Sequence, residues 1–469
     1  MAKEETRVEK DSLGEKRVPA QAYYGIQTLR ASENFPVSGL KAHPALIRAY
    51  ASVKKACAMA NGELGALAKD KAEAVVKACN EILDGRWDAE FIVDVYQAGA
   101  GTSFHMNANE VVANRAAEIL GGSKGEYKLV HPNDHVNMAQ STNDTFPTAT
   151  YVAVLMEIRK LLPVLDSLVE TFEQKAEEFS TVIKSARTHL QDAVPITLGQ
   201  EFEAYAQALA ACREEISRRS ELLHHVALGG NAAGTGINSA PGFREKAVKH
   251  LGQITNLPLK VARDPRMALQ SHQPLAAVSS ALKELALELI RVSNDLRLMC
   301  SGPITGFAEI ALPAVQPGSS IMPGKINPSM IECLNMIAFQ IVGRDLAVGL
   351  CAQAGQMDLN VMTPLVAYDL LDSIRLLINY LPVVDQRCVR GISADAQKCG
   401  SYFEQSPSLA TLLNPKIGYA KAAEVFKEAV KRKTTVGAVV LEKKILSKRE
   451  LEDLFDPKAV TGALDGGKP

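Results

Sequence analysis

Residues 317–333 read PGSSIMPGKINPSMIEC, a loop that sets two adjacent serines, one lysine and one asparagine among glycines and prolines. A phosphate cradle of the form G-x-x-x-x-G-K-[ST] fails on register. Five residues separate Gly318 from Gly324, Ile326 stands where a magnesium-binding hydroxyl belongs, and Pro323 has no N–H to offer. An ordinary surface connection explains the glycines and prolines but not Ser319-Ser320 followed by a lone Lys325. Three other stretches concentrate hydroxyl and amide side chains: GAGTSFHMNANE at 99–110, HPNDHVNMAQSTNDTFP at 131–147 and ARTHLQDAVPITLGQEF at 186–202. Each precedes or opens a helical run, where any single Ser, Thr or Asn is ordinarily an N-cap. Together, neutral donors at positive helix ends are what a small dicarboxylate needs when water is removed, and Lys325 adds one positive charge.

The same residues narrow the chemistry. No H-E-x-x-H occurs, and His131 and His135, four apart, lie in a stretch whose Pro132 and Asn133 argue against a helix. Gly229, Gly230, Gly234 and Gly236 do not form G-x-G-x-x-G after a strand, so hydride transfer from a dinucleotide has no support. Acid/base chemistry without a cofactor, on an anionic substrate, is what remains.

Long helices must position these stretches. Leu275, Val278, Leu282, Leu285, Leu289, Val292, Leu296 and Met299 advance by alternating steps of three and four, the spacing of a bundle helix. Over 270–299 such a helix would run about 45 Å. Similar patterns predict helices over 149–180, with a kink at Pro163, over 198–226, and over 329–349. The fold expected is mainly α, built on an elongated bundle. Shorter helical patterns at 44–61, 69–83 and 107–120 mix with turn-rich stretches before it, and short helices follow it. Three segments result: 1–141 mixed but mainly helical, 142–397 the bundle carrying the 317–328 loop, and 398–469 a small helical segment whose end, 465–469, is expected to fray. Ala286 and Ile290 broaden the apolar face of the 270–299 helix, which suits burial either within one subunit or against other chains.

A chain of 469 residues with 47% hydrophobic residues can bury a large core. Its formal net charge of −1 leaves no bulk field to attract nucleic acid or an anionic membrane. The eight cysteines are scattered, with no C-x-x-C, as expected for reduced thiols in a cytoplasmic protein. The N-terminal stretch is charged, and no run approaches 18 uncharged apolar residues, so neither secretion nor membrane insertion is expected.

GSSIMPGKINP at 318–328 closely resembles the signature loop of the aspartase/fumarase superfamily. GTS, HPNDHVN, STNDTFPT and RTHLQDAVPITLGQEF resemble its other blocks in the same order, and the likeness runs from AYYGIQTLRASENFP to LNPKIGYAKAA. The resemblance implies a homotetramer whose central helices share one bundle, active sites each assembled from three subunits, and reversible β-elimination from a succinyl-type substrate to fumarate. It makes the loop a flexible cover hinged at Gly318 and Gly324, with Ser319 the base that removes the Cβ proton. By match, Thr102, Ser141, Thr142 and Ser320 hold the carboxylate beside that proton, and Thr188, Lys325 and Asn327 hold the other. Asn143 and His189 face the leaving group, and Glu332 orients His189; the bland alternative for Glu332 is a first-turn carboxylate favoured by the helix dipole. No ligand set for an activating divalent ion is visible in the sequence.

Within the superfamily, THLQDAVPITLGQEF, QAGQMDLNVM and AYYGIQTLRA resemble the aspartate ammonia-lyases, which implies L-aspartate as substrate. Leu190 favours this over the class II fumarate hydratases, which typically carry Thr after the histidine. A lyase for a related amino acid is a further alternative. The QKKNP and KRNP patterns of argininosuccinate and adenylosuccinate lyases are missing, and retention of Ser319, Lys325, Asn327, Thr102, His189 and Glu332 argues against an inactive structural protein. Three positions depart from the aspartase pattern: Ile304 for Arg, Gln353 for Glu and Thr363 for Glu.

Overall fold

The computed structural model describes residues 5–462, so the tail at 465–469 lies outside the described residues. An antiparallel hairpin of β1 (Thr6–Asp11) and β2 (Gly14–Pro19) opens the chain. Helices α1 (Ile26–Asn34), α2 (Pro44–Glu63), α3 (Lys69–Leu83) and α4 (Thr102–Ile119) follow. Then come α5 (Thr142–Glu178), a second hairpin of β3 (Ile183–Thr188) and β4 (Gln191–Thr197), α6 (Leu198–Ser220), α7 (Phe243–Thr255) and α8 (Pro265–Gln270). Three more long helices, α9 (Gln273–Met299), α10 (Ser329–Gln353) and α11 (Thr363–Arg387), precede a series of short helices. The fold is mainly α, as the periodicity predicts.

Two compact units share these elements, and each is discontinuous in sequence. The first comprises 1–163, 212–286 and 339–378; the second comprises 164–211, 287–338 and 379–469. Each of the five long helices contributes residues to both, and in α5 the division falls at Pro163. In the first unit, Tyr50, Phe104 and Phe146 interlock at the centre, with the Tyr50 ring 5.2 Å from Phe104 and 5.9 Å from Phe146. Bundle pairing here is polar as well as apolar: Ser279 and Lys283 of α9 bind Asp345 of α10 at 2.8 and 2.6 Å. In the second unit Phe172 of α5 and Phe179 just after it pack on Phe202 of α6, and Tyr205 of α6 donates to Asp295 of α9. A separate cluster of Leu409, Leu413, Val425, Val436, Val439 and Val440 forms the core of the C-terminal helices.

Three local outcomes differ from the sequence reading. Residues 186–202 do not simply lead into a helix, because most of them build the β3–β4 hairpin. The 131–136 stretch does form one wide helical turn, Pro132–Val136, in which the His131 N–H donates to His135 Nδ1 at 2.8 Å. And α10 is apolar on its outside: Met336, Phe339, Leu346 and Leu350 are 57–68% exposed along one stripe. By length and composition α10 would be able to cross a membrane, although Glu332, Arg344 and Asp345 lie along it.

Candidate functional site

In the first unit the hydroxyl-rich stretches become two neighbouring helix starts. Thr102 sits exposed in the first turn of α4, after a Gly99–Gly101 turn whose Ala100 N–H donates to Val361 O at 2.7 Å. Ser141 opens α5: its Oγ accepts the Asn143 N–H at 3.2 Å, while Asp144 Oδ1 accepts the Ser141 N–H at 2.9 Å. Ser141 thus caps the N–H of the second helical residue while Asp144, the third, returns a bond to the Ser141 N–H, an arrangement close to a capping box. The other Asp144 oxygen accepts N–H bonds from Gly229 and Asn231 at 3.0 and 2.8 Å. Burial raises the Asp144 pKa to about 6, opposed by those N–H donors. The starts of α4 and α5 are tied together by His105, whose Nδ1 meets the Thr145 hydroxyl at 3.0 Å and the Tyr50 hydroxyl at 2.9 Å. Burial holds His105 well below the ordinary histidine value, so it is a neutral strut. Thr102, Ser141, Thr142 and Asn143 thus lie at two adjoining positive helix ends, with Asn143 Nδ2 donating to Ala232 O at 2.8 Å.

In the second unit Thr188 ends β3, and His189 and Leu190 form the two-residue hairpin turn with φ of 55° and 57°. Two left-handed residues in sequence define a type I′ turn, which ordinarily selects Asn-Gly. Neither His nor Leu is suited to that backbone, so the turn carries strain and presents both side chains to solvent. Below it, Lys184 and Arg187 grip one carboxylate: Glu309 lies 2.8 Å from Lys184 Nζ and 2.9 Å from Arg187 Nη1. Glu201 completes the cluster, 2.7 Å from Lys184. The Arg187 guanidinium also lies over the rings of Phe307 and Tyr402, at 4.2 and 5.4 Å. A bulge between Ser185 and Arg187 re-aims the strand just before Thr188.

The signature loop is pinned at its base. Gly318 N–H donates to Lys325 O at 2.8 Å, and Asn327 Nδ2 donates to Gly318 O. A Cβ on Gly318 would stand 2.5 Å from Lys325 O and 2.7 Å from Asn327 N, so only glycine closes this base. Gly324, at φ +81°, makes the left-handed turn opposite. Ser319 Oγ accepts N–H bonds from Ile321 and Met322 at 3.3 and 3.0 Å. Ser320 and Lys325 are exposed, and a cleft of about 690 Å³ runs along residues 324–328 towards Cys300, Ala308 and Asp395. Glu332 lies in the first turn of α10, 3.8 Å from Arg297. Among the described residues no hydrogen bond or ion pair joins it to His189 within the chain. The described residues also contain no cluster of His, Cys, Asp and Glu placed to hold a metal ion.

Sequence reasoning missed Lys184, Arg187 and Glu309 as a group, since their separation along the chain leaves no motif. The three departures from the aspartase pattern fall in unlike places. Ile304 is 85% exposed, and Gln353 is exposed at the end of α10. Thr363 is buried, with its hydroxyl 2.7 Å from His272 Nε2.

A family model described as "Lyase" matches residues 14–343, and one described as "Fumarase C C-terminus" matches 409–462. Aspartate ammonia-lyase of Bacillus subtilis is 47% identical over 99% of this chain and 98% of its own length. A class II fumarate hydratase of Thermosynechococcus vestitus is 44% identical over 96% of both chains. The crystal structure of a fumarate lyase:delta crystallin from Brucella melitensis bound to cobalt superposes with a TM-score of 0.95 at 47% identity, covering 97% of this chain and all of that one. With full-length relatives at this identity and family models across both parts of the chain, the protein is a lyase of the aspartase/fumarase superfamily.

Proposed function

We propose that the protein catalyses reversible β-elimination of ammonia from L-aspartate to give fumarate. The observation that carries this reading is Ser319 Oγ, which accepts two backbone N–H bonds in a loop closed at its base by Gly318. Donors aimed at an oxygen favour its charged form, so these amides stabilise the alkoxide that removes the Cβ proton. Ser319 takes that proton, electron density moves into the adjacent carboxylate as an aci-carboxylate, and its return to carbon expels ammonia from Cα. The doubly charged intermediate demands preorganised donors. Thr102, Ser141, Thr142 and Ser320 supply them to the carboxylate beside the departing proton. Thr188, Lys325 and Asn327 supply them to the other. Asn143 and His189 face the ammonia, and Glu332 orients His189. A serine is a poor base in water, and loop closure makes Ser319 competent by excluding it.

L-aspartate is favoured over L-malate by Leu190 after His189 and by the aspartate ammonia-lyase relatives. Fumarate hydration is the second reading, supported by the class II hydratase relative. Ultraviolet absorbance of fumarate tests both: a rise with L-aspartate alone is expected, whereas a rise with L-malate alone overturns the assignment. The reaction is assigned without a metal or organic cofactor, so chelation is expected to leave the initial rate unchanged. A cytoplasmic location fits eight free cysteines.

The active form we assign is a homotetramer with each site shared by three subunits. Supporting it are the exposed stripe on α10, which is apolar enough to need cover, and His189 and Glu332, which lack a direct bond within one chain. Sedimentation is expected to give four chains per particle. A fully active monomer would refute the shared site.

A further inference from the structure

One buried charge has no part in the chemistry above. Lys54 of α2 is fully buried, and no carboxylate touches it. Its ammonium donates to Asn137 Oδ1 at 3.1 Å and to Gln140 Oε1 at 2.9 Å, and stands 5.8 Å from the Tyr50 ring centroid. A cation without a contacting anion is among the least favourable groups to bury. The two amide oxygens partly compensate, and in doing so they are oriented. With Oε1 committed to Lys54, Gln140 Nε2 donates to Val136 O and Met138 O at 3.0 and 3.1 Å. Gln140 is the residue before Ser141, so the lysine fixes the segment from which α5 starts.

We propose that Lys54 is a positioning cation of the dicarboxylate site: by holding Asn137 and Gln140 it sets the start of α5, and its charge favours an anion at Ser141 and Thr142. This rests on the reading of those residues as carboxylate-binding. Asp144 is the carboxylate whose charge is felt at Lys54, but it makes no contact with the ammonium, and its oxygens accept the N–H groups of Ser141, Gly229 and Asn231. A substrate carboxylate at the helix end adds a second negative charge on the side of Ser141 and Thr142.

The charge of Lys54 is sensitive to pH. Burial lowers its pKa to about 8, opposed by the charge of Asp144. The titratable groups that face it do not change charge near that value. His105 of α4 is held well below the ordinary value, and burial drives Tyr50 and Cys57 of α2 far up and Cys79 of α3 to about 12. Asp144 of α5, at about 6, is already ionised. An anion that prefers protonated Lys54 must therefore bind more weakly as pH rises past about 8, by up to about tenfold per unit.

Calorimetric titration of the full-length protein with succinate, which has no leaving group, tests this between about pH 7 and pH 9.5. Wild-type affinity is expected to fall about tenfold or more across that range. Lys54→Met and Lys54→Gln are expected to bind at least about tenfold more weakly at pH 7, with a flat profile, because no charge remains to titrate. Ser141→Ala serves as the control: it should weaken binding at both ends while keeping the slope. A flat wild-type profile overturns the proposal, as does either Lys54 variant with wild-type affinity or the wild-type slope. If Lys54→Met fails to fold, the wild-type slope and Lys54→Gln decide. Wild-type succinate affinity in Ser141→Ala would instead overturn the carboxylate-site reading, whatever Lys54 does.

Discussion

Glu309→Gln separates the support of the hairpin from its chemistry. The carboxylate is completely buried, between Lys184 at 2.8 Å and Arg187 at 2.9 Å. At an effective dielectric of about 20 each contact is worth about 6 kcal/mol of gross attraction. Most of that is cancelled by the cost of desolvation, and removing one member of such a group costs about 3–5 kcal/mol net. The amide keeps the shape and one acceptor oxygen but no charge, so one of the two cations loses its partner on residue 309 and Glu201 becomes the only carboxylate on Lys184. At roughly 2–4 °C per kcal/mol, the melting temperature of the second unit should drop by about 10 °C. Burial disfavours the Lys184 charge, but Glu201 and Glu309 outweigh it and raise its pKa above the usual lysine value. A raised lysine pKa contributes stability that is complete below about pH 10 and lost as pH climbs through the folded value. In the variant that balance tilts toward burial, so alkaline unfolding should begin at lower pH. Because Arg187 immediately precedes Thr188 and His189, loosening the strand should also lower kcat by about 100-fold. Circular dichroism melts across pH, with steady-state rates, measure both effects. A variant melting within about 3 °C of wild type at unchanged kcat would refute the cluster's role.

Other substitutions test neighbouring parts of the site. Ser319→Ala should lower kcat by about 10³-fold with KM changed only a few-fold, since it removes a base and not a binding contact. Gly318→Ala drives a methyl into Lys325 O and Asn327 N, so kcat should fall at least about tenfold, while the exposed loop leaves the melting temperature within about 2 °C. Leu190→Gly relieves one left-handed residue and should raise stability by about 1 kcal/mol, seen as a higher melting temperature. Thr363→Val removes the partner of His272 Nε2, whose ring Nδ1 is already buried without one, and should cost about 1–3 kcal/mol.

The long helices were legible because their packing is periodic. The expectation over 69–83 coincides with α3, and that over 270–299 differs from α9 only at its start. The start of α5 was placed too late, at 149 instead of 142, because apolar periodicity begins only after the polar S-T-N-D turn that caps the helix. The hairpin was not legible, because its turn is His189-Leu190 and lacks the Asn or Gly by which such turns announce themselves. Lys54 and Glu309 were passed over for a related reason. A charged residue is ordinarily assigned to the surface, and the partners that make burial tolerable lie far along the chain, at 137 and 140 for one and at 184 and 187 for the other. The division into two units was invisible for the same cause, since each gathers segments separated by long stretches of the other. Departures from local preference therefore carry information that motifs do not. A left-handed leucine, a buried lysine with no contacting carboxylate and a carboxylate shared by two cations persist only where the surrounding fold over-determines them. Here each lies next to a candidate site residue in sequence or is bonded to the residue before one: Leu190 beside His189, Lys54 on Gln140 before Ser141, Glu309 on Arg187 before Thr188. The motifs name groups suited to contact the substrate. The violations mark what holds those groups in place, and it is there that a substitution should alter rate and stability together.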